Sequence, residues 1–288
     1  MTLRFGTAGW SYPDWAGIVY PHPRPRGFDE LSFLAQTFSA LEINSTFYRP
    51  ATARMSQSWV RRVAACPDFR FTAKLWSRFT HEAAPLHKED VHLFREGIAP
   101  LAEAGLLGAL LLQFPWSFRK GKPEGIRLLR IFEAFQDYPL VLEVRHSSWQ
   151  DEAVFGFLKK HRVGFCNVDQ PVIGESLPPT SQVTSPVGYF RLHGRNYRDW
   201  FREGAGRDQR YDYLYAKEEL ETIAGLVEEI ARKTEDSYVI ANNHFRGQAP
   251  CNALELQQIL TGEQPSVPPL LAQQYPRLAA PAGSREPL

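Results

Sequence analysis

The stretch Val141-Leu-Glu-Val-Arg-His-Ser-Ser-Trp149 begins as a buried strand and ends in charged and aromatic side chains. Side chains alternate faces along a strand, so Glu143 and Arg145 share one face and Leu142 and Val144 the other. A charged pair on an otherwise apolar strand needs a polar cavity or a partner, because an isolated buried charge is prohibitive. Outward from this stretch the layout repeats. Upstream lie apolar runs of strand length at Leu107–Phe114, Phe69–Leu75, Ala40–Thr46 and Leu3–Ala8. Downstream lie Val163–Asp169, Val187–His193 and Ser237–Asn242, and the stretch itself supplies Leu140–Arg145. Leu107–Phe114 is almost wholly apolar, as expected of a parallel strand covered on both faces.

Segments of helical period separate these runs. Their faces are Phe28, Leu31, Leu34 and Phe38; Met55, Trp59, Val63 and Cys66; Val91, Phe94, Ile98 and Leu101; and Leu128, Ile131, Phe132 and Phe135 behind Pro123. Val154, Phe157, Leu158 and His161 mark another, and Leu220, Ile223, Ala224, Val227, Ile230 and Ala231 form the clearest stripe. A last helix is expected from near Pro250 to near Gly262. One interval breaks the rhythm: Gln170–Pro186 is rich in Pro, Ser and Thr and has no helical face. Eight strands alternating with about seven helices predict an α/β TIM-type (β/α)8 barrel over residues 1–263, with the helix after the sixth strand missing. The competing open doubly wound sheet lacks support, because Gly6 and Gly9 do not complete a glycine-rich phosphate loop after the first strand. Residues 264–288 are rich in Pro and Ala and are expected to wrap the surface or stay disordered.

Composition narrows the partners. With 288 residues, 43% of them hydrophobic, the chain can fill one large core. Its 33 basic and 32 acidic residues leave a net charge of +1, so a nucleic-acid role would need a local patch. The N-terminal segment has no apolar run suited to a signal peptide, and no stretch reaches the roughly 18 apolar residues of a membrane span. Cys66, Cys166 and Cys251 are far apart, odd in number and without metal-type spacing, so buried thiols in a reducing cytoplasm are expected.

The polar residues gather where the strands end. The second strand closes with Glu42, Asn44 and Thr46, the third with Lys74 and, just beyond, His81, and the fourth with Gln113. The fifth gives Glu143, Arg145, His146 and Trp149, the sixth Asn167 and Asp169, the seventh Arg191 and His193, and the eighth Asn242 and Asn243. Barrel enzymes carry their sites at that rim. Charges that merely neutralise one another would look similar at any single strand end. Repeating a desolvated network on seven strand ends is hard to explain by packing alone.

The segments GTAGWSYPDW, LEINSTFY, KLWSRFTH, LLQFPWSF, LEVRHSSW, YFRLHG and ANNHFRGQAPCNA together resemble the YecE-like family, domain of unknown function 72, from about Arg4 to Leu260. The tail after Gln264 is outside that resemblance. The resemblance implies a TIM-type barrel and no established reaction. It also implies a set of signature residues: Trp10, Glu42, Asn44, Tyr48, Lys74, His81, Gln113, Glu143, Arg145, His146, Trp149, Arg191, His193 and Asn242.

The residues support three chemistries. In the first, an enzyme takes a small anionic or polyhydroxy molecule such as a sugar phosphate or nucleotide-like compound, with no cofactor. Lys74, Arg145 and Arg191 hold the anion, Glu42 or Glu143 is general base, and His193 or His146 its acid partner. Trp10, Tyr48 and Trp149 wall the pocket, and Asn44, His81, Gln113, Asp169 and Asn242 complete it. In the second, Glu42, Glu143, Asp169 and His193 hold a divalent metal for a phosphoesterase or isomerase, although three nearby cations would repel it. In the third, the 194–215 loop binds nucleic acid with Arg195, Arg198, Arg202, Arg207 and Arg210 among Tyr197, Trp200, Phe201 and Tyr211. Balanced charge in that loop favours a lid instead.

Overall fold

Eight parallel strands close into a barrel in sequence order. They are β1 (Thr2–Ala8), β2 (Ala40–Ile43), β3 (Arg70–Lys74), β4 (Leu107–Gln113), β5 (Leu140–Glu143), β6 (Gly164–Asp169), β7 (Val187–Leu192) and β8 (Asp236–Ala241). The computed structural model describes residues 1–82 and 85–279. Around the barrel run α1 (Glu30–Ala35), α2 (Ala53–Arg62), α3 (Lys88–Glu103), α4 (Lys122–Phe135), α5 (Glu152–Lys160), α6 (Lys217–Ala231) and α7 (Gln248–Thr261). This is the TIM-type barrel read from the alternation of apolar runs and helical stripes. Among the described residues no helix is long and apolar enough to cross a membrane.

Local chemistry sets the element ends. Asp29 accepts from the Ser32 N–H at 2.6 Å to start α1, and Asp151 accepts from the Ala153 N–H at 2.7 Å to start α5. Gly262 takes φ +70° at the end of α7, where residues with a side chain are strained. The stripe from Leu220 to Ala231 on α6 is buried as its spacing predicts. Its apolar face packs with Phe190, Leu192 and Val239 of the barrel wall. At Gly6 a Cβ would lie 1.7 Å from the Ala40 carbonyl oxygen, so β1 and β2 can approach only because that position has no side chain.

Strand pairing decides which side chains point inward. The register aligns Glu42 with Thr72, Gln113 with Glu143, and Val168 with Arg191. Those positions face the barrel axis. Asn167 pairs with Phe190 and Asp169 with Leu192, which places both on the outer face of β6. Phe155 of α5 packs on that face at Phe165, 5.3 Å between ring centres, but residues 170–186 form no helix, as their composition predicts. An irregular strap lies there instead. Asn167 fastens it: its amide donates to the Gln182 carbonyl at 3.0 Å, and its oxygen accepts from the Thr180 hydroxyl at 2.7 Å and the Gln182 N–H at 2.8 Å.

The segment after Gly262 docks on the barrel as far as it is described. It forms α8 (Pro269–Gln274), and Leu271 and Leu278 are buried. Gln264 donates to the Leu278 carbonyl at 2.9 Å, and Arg277 pairs with Glu255 on α7. Residues 280–288 of the expected tail lie outside the described residues. Cys166 and Cys251 are buried, whereas Cys66 is half-buried, and all three are free thiols.

Candidate active site

Arg191 is the centre of the barrel mouth. It sits on β7 between inward-facing Tyr189 and the residue after the strand, His193. Its Nη1 donates to Glu143 Oε2 at 2.5 Å and its Nη2 to Glu42 Oε1 at 2.7 Å. Glu143 also accepts from Arg145, at 3.2 Å from Nε and 3.1 Å from Nη2. Glu42 lies 3.8 Å from Lys74 Nζ and accepts from the Tyr189 hydroxyl at 2.9 Å. That hydroxyl also meets Thr72 at 2.8 Å. His193 Nε2 lies 3.2 Å from Glu143 Oε1, and its Nδ1 lies 3.1 Å from the Asn242 amide. A proton on Nε2, with Nδ1 accepting from Asn242, satisfies both contacts.

Glu42, Glu143, Arg191 and His193 are fully buried. Burial pushes the Glu143 carboxyl up, but Arg191, His193 and Arg145 outweigh it and hold it well below the usual carboxylate range. Burial, with Arg145 adding to it, pulls the His193 imidazole down to about 3, so it is neutral near pH 7. Burial and Arg191 lower the Lys74 amine to about 8. Lys74 and Arg145 keep 12% and 13% of their side chains exposed, against none for Arg191. Three cations, Lys74, Arg145 and Arg191, therefore face two carboxylates, Glu42 and Glu143, an excess of one positive charge.

A cavity of about 520 Å³ opens beside this network. The loops after β1 and β2 contribute Gly9, Trp10, Ser11 and Tyr12, then Asn44, Ser45, Phe47 and Tyr48. Lys74, His81 and Gln113 come from the β3 and β4 side, Asn242 and His244 from β8, and Arg207 and Tyr211 from the loop after β7. Several polar atoms on this wall are buried with no hydrogen-bond partner among the described residues: Asn44 Oδ1, Gln113 Oε1 and both ring nitrogens of His244. Buried polar groups are normally paired, so these atoms are open to a hydrogen bond from a water or a ligand.

The loop 194–216 covers the mouth. Gly194 starts it at φ +86°, and a Cβ there would meet the Tyr213 Cβ at 2.7 Å. Arg195 anchors it through Asp169, at 2.9 Å and 2.6 Å, and through Glu219 at 3.0 Å. The Tyr215 hydroxyl donates to Asp169 at 2.7 Å. Trp200 is buried with the Arg145 guanidinium 5.6 Å from its ring centre. The Tyr211 hydroxyl faces Arg145. Arg198 and Arg202 both pair with Asp199, and Arg207 pairs with Asp208. Arg195, Arg198, Arg202 and Arg207 are thus each paired with a carboxylate of the fold.

The placement of the expected residues divides cleanly. Glu42, Glu143, Arg145, Arg191 and His193 converge in the network. Trp10, Asn44, Tyr48, Lys74, His81, Gln113 and Asn242 line the cavity. Three residues stand elsewhere. Asp169 faces outward and holds Arg195 and Tyr215, because Cys166 and Val168 take the inward positions of β6. His146 meets Ser148 at 2.9 Å and Glu175 at 3.2 Å, away from the two glutamates. Trp149 stacks on Phe118 at 5.1 Å and donates to its carbonyl at 2.7 Å, so it buttresses the loop rather than walling the cavity. Thr46 also leaves the face it shares with Glu42 in an extended strand: β2 ends at Ile43, and Thr46 donates to the Ile43 and Lys74 carbonyls. The metal reading loses its ligand set, since Asp169 points away and Arg191 lies between Glu42 and Glu143.

Several site residues went unread in the sequence. Tyr189 was available, since it precedes Arg191 and His193 at the same strand period. Tyr12 and His244 sit on loops, where no periodicity marks them, and Arg207 and Tyr211 were read only as part of the 194–215 loop, not as cavity residues.

A (β/α)8 barrel with a lidded, charged cavity at the C-terminal ends of its strands defines the class of protein. Within that class the chain belongs to the DUF72 family: the model for "Protein of unknown function DUF72" matches residues 4–277. That match runs past Gln264, into the docked segment that carries α8. UPF0759 protein YunF of Bacillus subtilis is 28% identical over 282 residues, covering 93% of this chain and 98% of that one. A DUF72 family protein of Thermotoga maritima, solved by crystallography, is 35% identical with a TM-score of 0.78, over 90% of this chain and 98% of that one. A DUF72 family protein of Enterococcus faecalis is 27% identical with a TM-score of 0.78, over 89% and 94%.

Proposed function

We propose that this chain is an enzyme that binds a small anionic, hydroxyl-bearing molecule at the C-terminal mouth of its barrel. The observation that carries the reading is the excess positive charge beside a cavity with unpaired polar atoms. Lys74 is the cation of this network at the cavity wall, with Arg145 behind it under Trp200 and Tyr211, while Arg207 on the opposite side is paired with Asp208. An oxyanion there neutralises the excess. Trp10, Tyr12 and Tyr211 exclude water and strengthen that attraction. Glu42, Glu143, Arg191 and His193 act as positioning residues. They are sealed from the cavity, and Glu143 is too acidic for an effective base near pH 7.

The reading is tested by calorimetric and thermal-shift titration with inorganic phosphate and a panel of sugar phosphates and nucleotides. A ligand at a hundred times its Kd stabilises the native state by about 2.7 kcal/mol, readable as several degrees of Tm. Lys74→Met is expected to abolish the shift. Between pH 8 and 9.5, where phosphate stays dianionic, affinity is expected to fall with rising pH, by up to about tenfold per unit. The sign follows from Lys74 losing its proton above about 8. No shift with any member of the panel, or equal shifts in Lys74→Met, sinks the reading.

A further inference from the structure

His244 has no part in the charged network, yet it is held in place on the cavity wall from several sides. It is buried, and neither ring nitrogen has a hydrogen-bond partner among the described residues. Its ring stacks on Tyr12 at 4.5 Å with only 10° between the planes, and Tyr211 closes from another side at 5.5 Å. Its carbonyl accepts from the Trp15 indole at 2.7 Å, which fixes the backbone. A ring clamped so firmly, with both polar atoms idle, is built for a partner that arrives from outside.

The charges on the two sides of the cavity differ. Near His244 stand Arg207, Asp208 and Asp14. Arg207 Nε is 3.3 Å from Asp208 Oδ1, and that oxygen is 4.0 Å from His244 Nε2. Asp14 is engaged with the Arg246 N–H at 2.6 Å. This side carries no surplus cation. Lys74 and Gln113 belong to β3 and β4, and β4 stands across an eight-strand barrel from β8. The surplus positive charge therefore lies on the far wall. We infer that His244 is a ligand-binding residue that takes a neutral hydroxyl of a substrate whose anionic group lies toward Lys74. The substrate class is then a phosphorylated or carboxylated polyol or sugar, with acid and hydroxyl at opposite ends.

A neutral imidazole has one N–H and one lone pair, which matches the donor and acceptor of a hydroxyl. Burial, with Arg207 adding to it, lowers the His244 imidazole to about 4, so the ring is neutral near pH 7. Asp208 at 4.0 Å would also repel a second anion. The inference rests on the anion site proposed above.

The test uses the whole chain and these probes: inorganic phosphate, glycerol 3-phosphate, ribose 5-phosphate and glucose 6-phosphate. The wild type is expected to bind at least one sugar or polyol phosphate about tenfold tighter than inorganic phosphate. His244→Phe keeps the stack on Tyr12. It is expected to erase that tenfold preference and leave inorganic phosphate within twofold. If His244→Phe does not fold, the wild-type imidazole ¹⁵N resonances decide. They shift with the preferred sugar phosphate and not with inorganic phosphate if the inference holds. Equal affinity for all four probes, equal weakening by His244→Phe, or unmoved His244 resonances overturns the inference while the anion site stands. No binding of any probe by the wild type overturns both.

Discussion

At Arg191 one guanidinium holds two carboxylates that come from strands 101 residues apart in the chain, and none of the three side chains meets water. Such a group is stable only while every partner is present. Removing one leaves a buried charge without its counter-charge, at a cost of about 3–5 kcal/mol. Glu143→Gln strips the neutralising charge from Arg191 and Arg145 together. It is expected to lower unfolding free energy by about 3 kcal/mol or more in urea titrations. Glu96→Gln, at an exposed pair with His92, is expected to change it by less than about 0.5 kcal/mol. Equal effects from the two substitutions would contradict the central position assigned to Arg191. A structural role for Glu143 also predicts that the damage appears in stability before it appears in ligand affinity.

Among the elements, the lid depends on a residue it does not contain. Asp169 sits on the outer face of β6 and holds both ends of the 194–216 loop, Arg195 at one and Tyr215 at the other. Asp169→Asn is expected to leave the barrel folded while amide hydrogen exchange across 196–212 accelerates by about tenfold or more. Unchanged exchange there, with faster exchange in β6, would show that Asp169 supports the strand rather than the loop. This residue also marks where sequence reading reaches its limit. Strand number, strand order along the chain and the missing helix were legible, because buried strands and amphipathic helices leave different periods in the chain. The carboxylates and cations at strand ends were legible too, and Glu42, Glu143 and Arg191 do meet. Alternation fixes which residues share a face, not which face looks inward. On the outer face of β6, Asn167 meets a polar strap and Asp169 meets Arg195 and Tyr215 of the lid, so both are polar there for reasons other than catalysis. His244 and Tyr211 stand on loops, whose course depends on contacts that form only after the barrel closes.

For the molecule as a whole, three imidazoles are poorer proton acceptors when folded. Burial, with nearby cations adding to it, draws His81 and His244 down to about 4 and His193 to about 3. An unfolded chain binds protons on all three near their usual value of about 6.5. Between about pH 6.5 and 4 the unfolded state thus holds more protons, so stability falls as the solution is acidified. Each fully buried ring adds a slope approaching about 1.4 kcal/mol per pH unit, and the more exposed His81 adds less. Glu143, held below the usual range, keeps its stabilising charge until lower pH still. Urea midpoints at pH 7, 6 and 5 are expected to decline steadily, and more gently in His244→Phe. Parallel declines in the two proteins would remove His244 from the set.

The closing of β1 against β8 has one more consequence. The cavity wall draws on Trp10, just after β1, and on His244, just after β8, so the pocket does not exist until the eighth strand has been synthesised. A nascent chain paused on the ribosome after β7 holds Glu42, Glu143 and Arg191 without the eighth stave. It is a half-made vessel with its charges open to water, and only the arrival of β8 seals it.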